Sequence, residues 1–474
     1  MALTKVTYSM IEGAVVNVLD YGAVGDGSTD DTAAIQAAID AIEATTTRSS
    51  LYLPSGIYKT TAKLEISTRF MQIIGDGMGR AVGSTTNIQG GTAILYAGAA
   101  LSATEGVITA DAGVGTTRGL QVKDLSILCQ YNANGLYLDG CDMAEIDNVY
   151  IDSPLKGIVL DTSCYSSQIR RCEIYDPQTG GIELIDSNHA VRIENCRFNS
   201  SSATTKTPQY AIKIATTANC SEVGVQGCNF DYYKVTVAHV YLVTQCRGFN
   251  FIGNYLECRG DGVTAGAIVL DQGDGVFIAG NRITKTDSPT PTTIDYGIKI
   301  NAGDAFTIQA NWFSGFPVNK ACIYVASGVT NVFTASNRLT GTPEVEDANT
   351  PPATTRNYLA QTYTQLPWLG FGVPTLETIA TGVITIEQSS YVRVDTEGGA
   401  ATDDLDTING ALVDGQMLVL ETADSTHDVT VKDDTGNIQL AGSVDFAMTT
   451  GRDKLTLIWN ARSSKWQEIS RSTN

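Results

Sequence analysis

Eight short segments recur along the middle of the chain: GLYLDG from Gly135, GIVLDT from Gly157, GIELID from Gly181, AIKIAT from Ala211, HVYLVT from His239, AIVLDQ from Ala267, GIKINA from Gly297 and CIYVAS from Cys322. Their starts lie 22 to 30 residues apart. Each carries apolar residues two apart, such as Ile158 and Leu160, the period of a half-buried strand. A second strand follows each one, and in these strands one column reads Val149, Cys172, Cys196, Cys228, Asn254, Asn281, Asn311, Asn337. The column lies three residues after an apolar residue, so strict alternation breaks there and a bend is predicted. Coils of this length, with two or three short strands and a fixed bend, stack as a parallel β-solenoid with roughly 4.8 Å between coils. In such a stack like lies on like. A buried amide is costly alone, but a column of asparagines bonds successively up the stack. Cysteine fills the same slot lower down as a small hydrophobe.

The rest of the composition agrees. Charged residues are 17% of the chain and glycine numbers 46, which suits short strands and many turns. The formal charge of −20 argues against a nucleic-acid partner, because phosphate would be repelled. No apolar run reaches the roughly 18 residues of a membrane span, and the first residues lack the pattern of a secretory signal, so no membrane insertion is expected. All ten cysteines fall between Cys129 and Cys322 with no CxxC pair, which speaks against a disulfide framework or a zinc site. An open solenoid end needs a cover. TAAIQAAIDAI, with Asp30 as its expected N-cap and an apolar stripe at Ile35, Ile39 and Ile42, predicts a capping helix. Asp26, Asp30 and Asp31 are read as turn and cap residues rather than metal ligands.

VLDYGAVGDGSTDDTAAIQAAIDA, then LYLPSGIYKTT and QIIGDGMGR, resembles the pectate-lyase-superfamily β-helix domain common in bacteriophage tailspikes and tail fibres. The resemblance implies an all-β chain built on a right-handed parallel β-helix. It also implies a homotrimer that binds, and often degrades, bacterial surface polysaccharide. Implied too are a place in the virion tail after assembly in the host cytoplasm, and contacts with phage tail, baseplate or adaptor proteins. Residues 1–17 resemble a short virion-proximal lead-in, and 18–341 form the β-helix. Residues 342–374, with proline clusters and no coil pattern, read as a linker. Residues 375–474 hold short alternating strands between turns, which predicts a β-sandwich-like domain. They resemble fibre modules that trimerise or bind glycans. Trp459, Trp466 and Tyr391 there either stack on sugars or pack a small core.

Fold alone does not name a reaction. The long loops NSSSATTKTPQY, DYYKVTVA, ECRGDGVTAG and TKTDSPTPTTIDY leave equivalent positions of successive coils and are expected to wall a groove. Tyr210, Tyr232, Tyr233, Tyr255, Tyr296 and Trp312 are its candidate sugar-binding aromatics. Asp231 and Glu257 share one slot in neighbouring coils, with Asp261 as an alternative member. Stacking would place the first two about 5 Å apart, near the separation of a retaining glycosidase pair. At an effective dielectric near 20 two charges there repel by ~3 kcal/mol, which favours one protonated acid beside one carboxylate. The plainer alternative is a pair of solvated loop acids. A second constellation is expected on the outward face of the first strand. His239 and Tyr241, with Lys213 and Lys299 beside them, would abstract a uronate proton and protonate the leaving oxygen, as a lyase requires. Three readings follow: a glycan hydrolase, which is preferred; an eliminating lyase; and an inert receptor-binding fibre. No cofactor is implied, except that the lyase reading could require Ca2+.

Overall fold

The computed structural model describes residues 15–45, 50–67, 70–81, 88–111, 118–201, 206–214, 219–231, 235–258, 266–285, 296–316, 321–339, 345–348, 354–356, 374–386, 389–410 and 414–473. The chain divides into two compact units, Met1–Tyr363 and Thr364–Asn474.

The first unit is a parallel solenoid. Its first-strand segments, from Leu64–Ile66 through Lys156–Thr162 and Ala238–Leu242 to Val345–Asp347, form an 11-stranded ladder in which each strand pairs with its equivalent in the next coil. The second-strand segments form another long parallel ladder. Arg197–Asn199 pairs with Asn229–Asp231, which pairs with Tyr255–Cys258, which pairs with Arg282–Lys285. Inward side chains from both ladders make one continuous core, where Phe198 stacks on Phe230 at 4.8 Å between ring centroids. Burying each such phenylalanine is worth roughly 1.5–3 kcal/mol.

The predicted bend is present, and its cause is local. The residue just before the column takes a left-handed backbone in coil after coil: Arg171, Asn195, Gly227, Gly253, Gly280, Ala310 and Ser336 all have φ between 52° and 65°. That conformation turns the strand, and three coils use glycine, which pays no Cβ penalty there. The next residue then points inward. Asn281 Oδ1 accepts the Asn254 backbone N–H at 2.8 Å and its amide N–H at 3.1 Å. Asn281 Nδ2 in turn donates to Phe251 O at 2.9 Å and to Asn311 Oδ1 at 2.9 Å. The ladder runs on to Asn337. At its foot Asn254 Oδ1 accepts the Cys228 N–H, and Cys228 Sγ accepts the Cys196 N–H at 3.4 Å.

The helix Thr32–Glu43 buries Ile35, Ile39 and Ile42 in the core. Its N-cap is Asp31 rather than Asp30. Asp31 turns its carboxylate back to the Val24 and Gly25 N–H groups, while Asp30 accepts from the first helical N–H, that of Thr32. Asp26 holds a turn through Ser28 and Thr29. Two strands lie in the text read as linker: Val345–Asp347 pairs with Ile323–Val325, and Thr354–Arg356 pairs with Val332–Thr334. Parallel pairing needs only backbone groups, so these segments join the ladders without the side-chain pattern of the earlier coils. Val16–Asn17 likewise pairs with Leu51–Tyr52.

The second unit is a β domain. Its main sheet runs Thr375–Thr378, Tyr391–Asp395, Met417–Thr422, Lys454–Asn460, Lys465–Ser472 and Ile438–Gln439. Smaller sheets complete a separate core that includes Val392, Leu420, Leu457 and Trp466. Trp466 is fully buried with Trp459 packed beside it, and the Tyr391 hydroxyl donates to Glu421 at 2.5 Å. Among the two tryptophans and this tyrosine, packing accounts for Trp466.

Candidate functional site

The bent second ladder presents two outward columns, separated by the inward residues Ile174, Phe198, Phe230, Leu256, Ile283 and Phe313. One outward column reads Tyr150, Glu173, Arg197, Asn229, Tyr255, Arg282, Trp312, Arg338. The other reads Asp152, Tyr175, Asn199, Asp231, then Glu257, Thr284, Ser314. Asn229 pairs with Tyr255 and Phe230 with Leu256, and Asp231 and Glu257 are the residues that follow the last of these pairs in their two strands. Glu257 is 8% exposed and Asp231 half-buried. Phe230 and Leu256, the inward residues just before the two acids, anchor this register. Asp261, Tyr232 and Tyr233 lie outside the described residues.

Tyr255 and Trp312 belong to this face. The Arg282 guanidinium lies 5.4 Å from the Tyr255 ring and 4.5 Å from the Trp312 ring, and Arg338 lies 5.0 Å from Trp312. Trp312 Nε1 and Asn229 Oδ1 are buried with no hydrogen-bond partner among the described residues. The two arginines carried no signal in the apolar period that reveals the coils.

Tyr210 and Tyr296 are on the other ladder, away from the carboxylate couple. Tyr210 is 1% exposed and donates its hydroxyl to Glu183 at 3.0 Å. Tyr296 is also buried, its ring 4.8 Å from that of Tyr324. Neither offers a free face to a sugar.

The lyase constellation is not assembled. His239 is fully buried and does not share a face with Tyr241. The reason is an irregularity in the strand. The pairing steps from Tyr210–Ala238 directly to Ile212–Val240, leaving Ala211 and His239 between the paired positions. At the equivalent Gly181 an added Cβ would meet the Phe198 ring at 2.9 Å, so this slot faces the core. Burial lowers the His239 pKa to about 4, and neither ring nitrogen has a hydrogen-bond partner among the described residues. Tyr241 donates to Asp271 Oδ2 at 2.5 Å, and burial together with that carboxylate pushes its hydroxyl up to about 12. Lys213 is committed to Glu183 at 3.3 Å, with Lys156 on the other carboxylate oxygen. Burial alone would raise the Glu183 carboxyl, but the two lysines outweigh it and hold it below the usual range. Lys299 stands over the Tyr324 ring.

A further acidic group on the carboxylate face escaped the sequence pattern. Asp152 is 2% exposed and accepts from Tyr150 Oη at 2.7 Å and Ser153 Oγ at 2.5 Å. Burial raises its pKa, the charges of Asp176 and Glu173 raise it further, and the two hydroxyls only partly compensate. Asp176 accepts from Tyr131 Oη at 2.5 Å, and its Oδ1 is buried without a partner among the described residues. Glu173 is paired with Arg80 at 2.9 Å. Among the described residues no three acidic, histidine or cysteine side chains converge as a metal site.

Three family models match the chain. Residues 15–157 match "Rhamnogalacturonase A/epimerase, pectate lyase-like", residues 113–230 "Right handed beta helix region", and residues 377–467 "Phage depolymerase C-terminal beta sandwich domain". The chain therefore joins a stretch that matches pectate-lyase-like and right-handed β-helix models to a stretch that matches a phage-depolymerase β-sandwich model. Among curated proteins it is 45% identical over 85 residues to mannuronan C5-epimerase AlgE3 of Azotobacter vinelandii, covering 16% of this chain and 5% of that one. It is 47% identical over 72 residues to alginate lyase 7 of the same organism, covering 14% of this chain and 8% of that one. Among solved structures, DFA-IIIase from Arthrobacter chlorophenolicus A6 without its lid superposes with a TM-score of 0.50 at 14% identity, over 69% of this chain and 98% of that one. ORF18 of Geobacillus virus E2 gives a TM-score of 0.48 at 18% identity, over 65% and 59% of the two chains. No helix among the described residues is long and apolar enough to cross a membrane.

Proposed function

We propose that this protein is a phage tail component, homotrimeric and attached to other tail proteins, that binds and depolymerises a bacterial surface polysaccharide by glycoside hydrolysis. The observation that supports the reading is the pairing of Phe230 with Leu256, from which we infer that Asp231 and Glu257, the next residue in each strand, face one another beside a column bearing Tyr255, Arg282 and Trp312. Adjacent coils lie about 5 Å apart, the separation of a pair in which one carboxylate attacks the anomeric carbon and the other protonates the leaving oxygen, then activates the water that releases the sugar. The phage-depolymerase β-sandwich match and the polysaccharide-acting curated relatives support the substrate class. The burial of His239 weighs against elimination by the His239, Tyr241 and Lys213 trio.

A second carboxyl couple on the same face, Asp152 with Asp176, has one specific observation in its favour: burial and neighbouring acids favour the protonated form of Asp152. The test separates the couples. The full chain is incubated with capsule or lipopolysaccharide of the phage host, and new reducing ends and the ultraviolet absorbance of an unsaturated product are followed. Reducing ends without that absorbance are expected. Asp231→Asn and Glu257→Gln should each slow release by about 100-fold or more, with Asp152→Asn near wild type. The reverse pattern would transfer the reaction to Asp152. Binding without either product would make the protein an inert receptor-binding fibre.

A further inference from the structure

The face that holds Asp231 and Glu257 continues into Arg282, Trp312 and Arg338, one per coil. We infer that these three residues form a binding track for the anionic groups of an acidic glycan, with the guanidiniums as its recognition elements. This rests on the polysaccharide reading above and adds the chemical class of the polymer.

Four observations carry it. First, Trp312 lies between two guanidiniums, 4.5 Å from Arg282 and 5.0 Å from Arg338. With cations on it, the indole is not a platform for a sugar ring, which replaces the stacking role expected from its sequence position. Stacking instead orients the guanidinium planes, and their N–H forks are suited to carboxylate or phosphate. Second, both arginines are exposed. Third, they have no carboxylate partner among the described residues. Arg80, Arg118, Arg170, Arg171 and Arg197 on the same solenoid each have a carboxylate within 4.0 Å. Among the described residues Arg282 and Arg338 have no such partner, and neither do Arg192, which donates to backbone carbonyls, and Arg247, which donates to Gln245. Acids are not scarce, since the chain has 51 acidic against 31 basic residues. Fourth, the location is consequential. A chain of charge −20 repels a polyanion, and the carboxylate couple would repel it locally. Two guanidiniums without a carboxylate partner among the described residues, one and three coils beyond Glu257, offset that repulsion where the polymer would lie. They stand two coils, or about 10 Å, apart, close to the repeat of an extended disaccharide, so an acidic group on alternate sugars would meet them in turn.

The anion has more than one chemical source: a uronate or pyruvate carboxylate, or a phosphodiester. The experiment distinguishes them. Full-length protein is titrated against immobilised purified capsular polysaccharides, neutral and acidic, with each acidic polymer also presented carboxyl-reduced or dephosphorylated. Binding should be confined to acidic polymers and should weaken about tenfold or more when the responsible anion is removed. Arg282→Gln and Arg338→Gln should each weaken it about tenfold and flatten its salt dependence, and lysine at either position should restore it only in part. Light scattering should show the oligomeric mass unchanged. Equal binding of neutral polymers, indifference of the double glutamine variant, or loss of the oligomer in that variant would each overturn the inference. Cleavage of a neutral polymer would overturn it while sustaining the depolymerase reading. Tight arginine-dependent binding of an acidic polymer without cleavage would sustain it and overturn that reading.

Discussion

His239 sits inside the solenoid, and neither ring nitrogen has a hydrogen-bond partner among the described residues. Its neighbours in the same slot are Gly181, Ala211, Ala267 and Gly297, so one coil carries an imidazole where the others carry little or nothing. Burial lowers its pKa from 6.5 to about 4. Above pH 6.5 both folded and unfolded forms are neutral and no penalty applies. As pH falls from 6.5 towards 4, the unfolded chain takes up a proton that the folded chain refuses, and stability declines by about 3 kcal/mol across that window. Below pH 4 both forms are charged and the decline from this group ends. His239→Leu removes the titration. Chemical denaturation should therefore show a gain over wild type that is larger at pH 4.5 than at pH 8. An equal gain at both would mean that the imidazole is not the group responsible.

At the scale of elements, the asparagine column does what the backbone bend requires. A left-handed residue turns each strand, and the turn takes the following N–H out of the regular ladder; the side chain one coil along accepts it. Asn281→Val would leave the Asn254 N–H and the Phe251 carbonyl without these partners. Leaving a buried polar group unsatisfied costs about 1–3 kcal/mol. Asn281→Cys should cost less, because Cys228 shows that a thiol in this slot accepts the N–H below at 3.4 Å. Denaturation midpoints in the order wild type, cysteine, valine are expected, and a valine variant as stable as wild type would remove the ladder's energetic role.

For the whole molecule, trimer assembly is the expectation that the family resemblance adds. Light scattering on the full chain should give about three times the mass of one 50.4 kDa chain; a monomer would count against the tailspike reading. The solenoid was open to view in the sequence because stacking turns each side-chain column into a column of text, as Cys172 to Asn337 demonstrates. The pairing of Phe230 with Leu256, which Asp231 and Glu257 follow, was readable for the same reason. His239 was not, since counting back by twos from Tyr241 assumes an unbroken strand and the pairing skips that position. The upward shift of the Asp152 pKa was not readable either. It depends on burial and on Asp176 and Glu173, which only coil stacking brings near. Nor did the text show that Trp312 would be flanked by Arg282 and Arg338, because nothing in a list of aromatics says what lies above and below a ring.

The linear order of residues thus determined the coil, its bend, its capping helix and which positions share a column, because these follow from short-range periodicity repeated at a near-constant interval. Tertiary structure alone decided which side chains are wet, paired or bare. Burial and charge neighbourhood are properties of the space between coils, and one irregular step in a strand is enough to move a residue from the surface to the core.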